Sequence, residues 1–482
     1  MNTPLRRLAN VTIVMFLALM MTSTWVQFVR APDLNSDGRN VRTLYREYDN
    51  SRGPIVVGGD SIASSAPVDT PFGYQRSYTQ AELYAHVTGY YSVIYGRSGI
   101  EQAMNTELNG SADSLFYSRL QDLITGRQPQ GAAVELTIDP AAQQAAWDAL
   151  GDQRGAVVAL DPTTGAILAM VSKPSYDPNL LAGHTTSEVT ENWTALNEAD
   201  GQPLANRAIA GNTYPPGSVF KLVTAAAALE DGLAVDEQIP APDELPLPLS
   251  SAVLGNFGGA SCSSSGTQTL GDALRVSCNT AFAQLGLDLG AELIGEQAEA
   301  FGFGTRFTVP MESAESYFPP DPDAPSTALS AIGQYEVRVT PLQVAMVSAA
   351  IANGGTQMSP YLVDSVRSQD LDVVTETSPS ELGQPISPET AAALQEMMLG
   401  VVADGTGRAA QIPGVQVAGK TGTAETSSDV PPHAWFTSFA PADDPQIAVA
   451  VIVENGGTLG SEATGGAVAA PIARAVMQAV LE

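Results

Sequence analysis

From residue 8 to residue 29 the chain is apolar with few breaks, LANVTIVMFLALMMTSTWVQFV, and Arg6 and Arg7 stand just before it. A helix rises about 1.5 Å per residue, so about 20 such residues cross the hydrocarbon layer of a bilayer. The stretch therefore predicts one transmembrane anchor, and the two arginines favour a cytoplasmic tail over residues 1–7. A cleaved signal peptide is the rival reading. The segment TSTWVQFVRAP, however, offers bulky residues where small ones are expected at a cleavage site. On either reading nearly all of the chain is exported.

Residues 30–135 mix their periods. Gly and Ser punctuate SRGPIVVGGDSIASSAP, which reads as part of a small irregular or strand-rich module. Residues 139–150, DPAAQQAAWDAL, carry apolar side chains at helical spacing with Asp139 as N-cap. Residues 155–172, GAVVALDPTTGAILAMVS, place two β-type runs around an Asp161 to Gly165 turn, a hairpin signal.

The middle of the chain is helical in pattern. TYPPGSVFKLVTAAAALEDG predicts a turn leading into a buried helix that ends near Gly232, and TQTLGDALRVSCNTAFAQLGLDLG predicts helix, turn, helix. VTPLQVAMVSAAIANGG opens with Pro341 and closes at Gly354, while SPETAAALQEMMLGVVADG has Ser387 as N-cap and Pro388 at the first helical position. Strand patterns return in VQVAGKTGTAE, HAWFTSFAP and QIAVAVIVENGG, and the last residues, GGAVAAPIARAVMQAVLE, read as an amphipathic helix. Strands at both ends around a helical block predict an α+β domain whose antiparallel sheet joins its N- and C-terminal parts, flanked by helices.

At 482 residues the chain has room for one large and one smaller domain, and 44% hydrophobic against 15% charged residues suits a sizeable core. The net charge of -30 argues against a nucleic-acid partner, which needs clustered Lys and Arg, and against broad adhesion to an anionic membrane surface. It reads as a solubility feature. Only three lysines occur, Lys173, Lys221 and Lys420. Arg is effectively never deprotonated whereas Lys shifts its pKa readily, so a chain this sparing keeps Lys where a base or a tunable charge is needed.

The two cysteines, Cys262 and Cys278, are candidates for a disulfide in an oxidising compartment, worth about 3 kcal/mol in the chain-entropy model. Two reduced, partly buried thiols are the alternative. His86, His184 and His433 have no ligand-like spacing, so no metal or cofactor is expected, and His433 reads as a surface turn residue.

Three short motifs carry the chemistry. In Ser218-Val-Phe-Lys221 the two polar side chains share one helix face, and Pro215-Pro216-Gly217 puts Ser218 at the helix start, where free N–H groups favour developing negative charge. Apolar neighbours would desolvate Lys221 and help it take the Ser218 proton. Read blandly, this is an N-cap serine followed by a surface lysine. Ser277-Cys278-Asn279 lies in a turn between helices, where Ser and Asn are ordinary residues. In Lys420-Thr421-Gly422-Thr423 alternation sends Lys420 and Gly422 to one strand face and both threonines to the other, and Gly422 would let a ligand approach the backbone.

Taken in order, S-x-x-K, S-x-N and K-T-G form a specific triplet. With GAVVALDPTTGAILAMVSKPSYDPN, NRAIAGNTYPPGSVFK, VTPLQVAMVSAAIANGG and KTGTAE, residues 136–482 resemble the transpeptidase domain of class B, monofunctional penicillin-binding proteins. The layout is nearest to the short, division-associated type called penicillin-binding protein A. RGPI (residues 52–55) and GRSGIE (96–101) resemble the family's N-terminal pedestal, or dimerisation-type, domain, here 30–135. The sequence departs from the longer pedestal signature after RGPI, and it has Tyr335 in GQYEV where many relatives have Gly.

The resemblance implies the penicillin-binding transpeptidase or serine β-lactamase-like fold and a peptidoglycan D,D-transpeptidase acting in cell wall synthesis, cell shape and division. Ser218 would be acylated by a D-Ala-D-Ala stem peptide, Lys221 would accept its proton, and Ser277, oriented by Asn279 and Lys420, would relay a proton to the leaving amine. Thr421, Gly422 and Thr423 would bind the carboxylate of the stem peptide or of a β-lactam, helped by an unidentified Arg. An amine from a second stem is the acceptor, with a glycosyltransferase and division proteins as partners. No appended binding repeats or glycosyltransferase module are expected. The alternatives are a non-catalytic penicillin-binding scaffold, a β-lactam sensor, and a β-lactamase or carboxypeptidase of the same fold. A β-lactamase needs a deacylating base, and no class A-like Glu loop is present.

Overall fold

The computed structural model describes residues 3–30, 48–70, 72–128, 130–426 and 429–482. The first two residues of the expected cytoplasmic tail and residues 31–47 of the expected N-terminal module lie outside these. Thr3–Val29 is one helix of 27 residues, long and apolar enough to cross a membrane, with no residue buried in the protein. It starts before Leu8, so Arg6 and Arg7 lie on its first turns.

The larger unit is built on a five-stranded antiparallel sheet, in the order Ala418–Ala424, His433–Ala440, Ile447–Val453, Gly155–Leu160, Ile167–Lys173. The N-terminal hairpin therefore closes onto the C-terminal strands, as the sequence pattern predicts. Its turn is held by Asp161, whose Oδ1 accepts from Thr163 N at 2.8 Å. Helices cover both faces of the sheet, so its inner strands Gly155–Leu160 and Ile447–Val453 read as unbroken apolar runs. Ala156, Val158 and Leu160 join one core, while Val157 and Ala159 join the other, the two-residue period of a strand.

Over one face lie Pro140–Leu150 and Ala470–Leu481. Over the other runs Pro341–Ala352, buried on every side and capped by Thr340 Oγ1 accepting from Gln343 N at 3.1 Å. A helix apolar all round fits only such a central position. Beyond it sit Lys221–Glu230, Asn279–Leu289 and Pro388–Ala403.

A second sheet of six strands runs in the order Val373–Glu376, Val363–Arg367, Ala133–Leu136, Ile55–Val57, Asp60–Pro67, Tyr74–Tyr78. Two of its strands come from residues 363–376, far along the sequence from the module they complete. Beside it Glu101 is fully buried between two cations. Arg52 Nε lies 2.5 Å from Glu101 Oε2 and Arg76 Nε 2.6 Å from Oε1. RGPI and GRSGIE thus meet through Arg52 and Glu101. The module is tied to the larger unit by Gln143 Nε2 donating to Leu83 O at 3.0 Å and Asn206 Nδ2 donating to His86 O at 3.1 Å.

Candidate active site

Gly217–Phe220 forms one 3-10 turn that runs into the helix Lys221–Glu230. Gly217 has a φ of +54°, and a Cβ there would stand 2.5 Å from Thr423 O. Only glycine lets the turn press this closely on the Ala418–Ala424 strand. Trp435 Nε1 donates to Pro215 O at 3.0 Å and fixes the turn's approach to the sheet. The result places Ser218 at the free edge of an edge strand.

Below Ser218, Lys221 is fully buried. Its Nζ donates to Ser277 O at 2.8 Å and to Asn279 Oδ1 at 2.8 Å, and lies 3.4 Å from Ser277 Oγ. Lys420 Nζ, also fully buried, donates to Ser277 Oγ at 2.8 Å and to Thr421 O at 2.9 Å. Two of the three lysines thus converge on one serine hydroxyl. Burial pushes the Lys420 ammonium down to about 7. Burial, reinforced by the neighbouring Lys420 charge, holds Lys221 well below the usual lysine range. A proton on Lys221 is thus disfavoured both by burial and by the charge of Lys420. Ser218 Oγ has no hydrogen bond among the described residues and faces the groove.

That groove is a cavity of about 850 Å³ whose walls include Ser218, Asn256, Ser277, Asn279, Thr421 and Thr423. Thr421 Oγ1 is 2.6 Å from Thr406 Oγ1. Ser277 holds a left-handed backbone, φ +59°, which aims its hydroxyl at both lysines. The turn around it is fastened twice. Cys262 and Cys278 form a disulfide, with Cα atoms 5.8 Å apart. Asn256 Oδ1 accepts from Asn279 N at 2.9 Å and from Thr280 N at 3.1 Å, capping the Asn279–Leu289 helix from a distant loop.

Three expectations are corrected. Gly422 does not line the groove: a Cβ there would stand 2.9 Å from Trp435 Cβ and 3.0 Å from both Pro216 O and Val219 Cγ1. The close approach that requires glycine is made by the serine's own turn, not by a ligand. No arginine among the described residues lines the groove, whose nearest positive charges are the buried lysines. His433 is no surface turn residue. It is buried at the start of the His433–Ala440 strand, its Nδ1 accepts from Asn455 N at 3.0 Å, and burial lowers its pKa.

Residues 155–478 match the family model described as the penicillin binding protein transpeptidase domain, and residues 52–134 match the penicillin binding protein A dimerisation domain. The chain is 47% identical over 490 residues to peptidoglycan D,D-transpeptidase PbpA of Mycolicibacterium smegmatis, covering 100% of this chain and 99% of that one. Identity to PbpA of Mycobacterium tuberculosis is 46% over 491 residues, with the same coverage. The chain belongs to the penicillin-binding protein transpeptidase family.

Among solved penicillin-binding proteins, the ceftriaxone acyl-enzyme complex of penicillin-binding protein A from M. tuberculosis superposes with a TM-score of 0.88. It has 47% identity and covers 91% of this chain and 100% of that one. PBP2 of Pseudomonas aeruginosa superposes at 0.74 with 31% identity over 89% of this chain and 95% of that one. Sequence reasoning missed Asn256, Thr406 and Gln334 in this penicillin-binding protein. The Gln334 amide pairs with both backbone groups of Glu425 at 3.2 Å, just past the strand. None of the three lies in a recognisable motif, so no local signal could have found them.

Proposed function

We propose that this penicillin-binding protein is a peptidoglycan D,D-transpeptidase with Ser218 as nucleophile. The observation that carries the reading is the chain Lys221, Ser277, Lys420, with both lysine nitrogens on one hydroxyl beside the half-buried Ser218. The relatives' names and the acyl-enzyme complexes of their structures support it.

Neutral Lys221 takes the proton as Ser218 Oγ attacks the carbonyl of the penultimate D-Ala. The backbone N–H groups of Ser218 and Thr423 hold the resulting oxyanion, a contribution worth roughly 100- to 1000-fold per donor. As the C–N bond breaks, Ser277 passes a proton to the departing D-Ala amine and is reprotonated from Lys221. Lys420 and Asn279 hold Ser277 and Lys221 in place for that relay. Thr421 and Thr423 hydroxyls, in the field of Lys420, hold the substrate carboxylate. An acceptor amine then attacks the ester, its proton returns through the same groups, and Ser218 is released. A β-lactam presents the same carboxylate and carbonyl and stops at the ester.

The apolar Thr3–Val29 helix and the disulfide support a single-pass cytoplasmic membrane protein with its catalytic unit outside. Cross-linking needs polymerised glycan, so a glycosyltransferase is the partner activity this reading requires, and the resemblance adds division proteins. Intact-mass measurement of the protein with penicillin tests it. A stable adduct on wild type and none on Ser218→Ala is expected. No adduct on folded wild type would sink it, and rapid loss of the adduct would favour a β-lactamase.

A further inference from the structure

Next to the start of the Ala418–Ala424 strand lies a cavity of about 660 Å³ that shares no wall residue with the catalytic groove. Its walls come from the last turn of Pro388–Ala403, from the segment that leads from that helix to the strand, and from Arg474 of the Ala470–Leu481 helix. These walls are fastened to one another. Gln411 Nε2 donates to Val402 O at 2.9 Å and to Ala403 O at 2.8 Å, satisfying two carbonyls at a helix C-terminus. Val415 N donates to Ile412 O at 3.1 Å, and Ala442 N to Gln416 O at 2.8 Å. Hydrogen bonds within the walls therefore fix the shape of the cavity.

Leu399, Val402, Ile412, Val415 and Val417 give it an apolar lining. Its charge is of one sign, since Arg408 and Arg474 are the charged residues in its walls. Arg408 is exposed, and its Nη2 donates to a backbone carbonyl, Asp404 O, at 2.6 Å. Arg474 is half-buried, and its Nε is shielded from water with no acceptor among the described residues. Neither guanidinium has a carboxylate partner among those residues. In a chain of net charge -30 such a partner is easy to find, and Arg127, also exposed, holds Asp370 at 2.9 Å. Two unpaired guanidinium groups on one apolar cavity thus reverse the protein's charge locally. A shielded donor without an acceptor costs stability, and a carboxylate brought to the same guanidinium offsets that cost.

The lining and the charge together select the occupant. A bare anion would leave the apolar lining unfilled. A basic segment would meet two like charges. An acidic segment is repelled by most of this protein and attracted here. We propose that this cavity docks an acidic peptide segment of a partner protein, with apolar side chains seated in the lining and flanking carboxylates on Arg408 and Arg474. The inference goes beyond the chemistry at Ser218 and does not depend on it. The segment that forms the wall also carries Thr406, the residue that touches Thr421 in the catalytic groove.

The test uses the full chain in detergent and a labelled peptide, acetyl-Glu-Glu-Leu-Ile-Glu-Glu-amide, with binding read by fluorescence anisotropy. One control peptide has Lys for each Glu, and another has Ser for Leu and Ile. The acidic apolar peptide should bind about tenfold more tightly than either control, the scale of two partly exposed ion pairs. Arg408→Glu combined with Arg474→Glu should remove that difference while penicillin acylation stays as in wild type. If Arg474→Glu fails to fold, Arg408→Glu alone, at an exposed position, should still weaken the acidic peptide about threefold. Equal binding of the three peptides, or unchanged binding of the acidic one to Arg408→Glu, overturns the proposal. Sedimentation of the full chain supplies the remaining outcome. A mass that doubles with concentration in wild type but not in Arg408→Glu would give the cavity to a second copy of this chain and overturn the partner peptide.

Discussion

Lys420 Nζ donates to Ser277 Oγ across 2.8 Å, so in the proposed mechanism the charge that attracts a substrate carboxylate also orients the proton relay. Burial and the neighbouring Lys420 charge both disfavour a proton on Lys221, and burial brings Lys420 down to about 7. Acylation by penicillin should therefore rise with pH while Lys221 becomes a free base, and fall as Lys420 loses its proton near 7. Lys420→Arg, which stays charged, should flatten the alkaline limb even if the rate drops. A profile of kcat/KM that does not bend near neutrality would refute this assignment.

Gly422→Ala tests the correction made for that glycine. The added methyl would press on Trp435 and on Pro216 and Val219, the last two beside or in the turn that carries Ser218. An offset of about 1 Å at a nucleophile costs on the order of 100-fold in rate. Acylation should fall by that order while Thr421 and Thr423, proposed to bind the carboxylate, remain. Titration with a non-covalent carboxylate ligand should accordingly show little change in affinity, whereas a large loss of affinity would return Gly422 to a ligand-contact role.

The disulfide predicts a loss of both stability and rate. Closing a loop of 16 residues contributes about 3 kcal/mol through the unfolded chain. Cys262→Ser should lower the urea midpoint accordingly. It should also slow acylation, since the turn of Ser277 would lose its one covalent tie. An unchanged midpoint and rate would show that the bridge does neither.

Glu101 gives a pH-dependent prediction in the N-terminal module. Burial alone would raise its pKa, but Arg76 and Arg52 outweigh that and hold it below the usual carboxylate value. Its contribution to stability is therefore complete above the unfolded carboxylate pKa and is lost as pH falls through the lower folded value. Glu101→Gln leaves two buried guanidinium groups without a counter-charge and should cost about 3–5 kcal/mol at neutral pH. The difference from wild type should shrink in acid. Urea unfolding at both pH values checks it, and a gap that widens in acid would contradict the sign.

Much of this molecule is written locally. The Asp161 turn, the caps Asp139, Thr340 and Ser387, and the period of each strand follow from neighbours a few residues apart. So do the three motifs, whose side chains the structure brings to one groove. An unbroken apolar segment likewise announces a helix able to cross a membrane.

Other features depend on residues far apart in sequence meeting in space, and no local pattern encodes such meetings. Strands 363–367 and 373–376 complete a sheet begun at residue 55, through backbone hydrogen bonds that any side chains permit. Asn256 caps a helix that starts 23 residues later. Gly422 looks like a ligand's gap until Pro216 and Val219 are seen filling it, and His433 looks exposed until the chain at Asn455 folds over it. The sequence by itself determined which residue types could do the chemistry and in which elements they lie. Only the tertiary structure decided that two buried lysines share one hydroxyl and that Arg408 and Arg474 meet at one cavity, because desolvation and contact are properties of the packed chain.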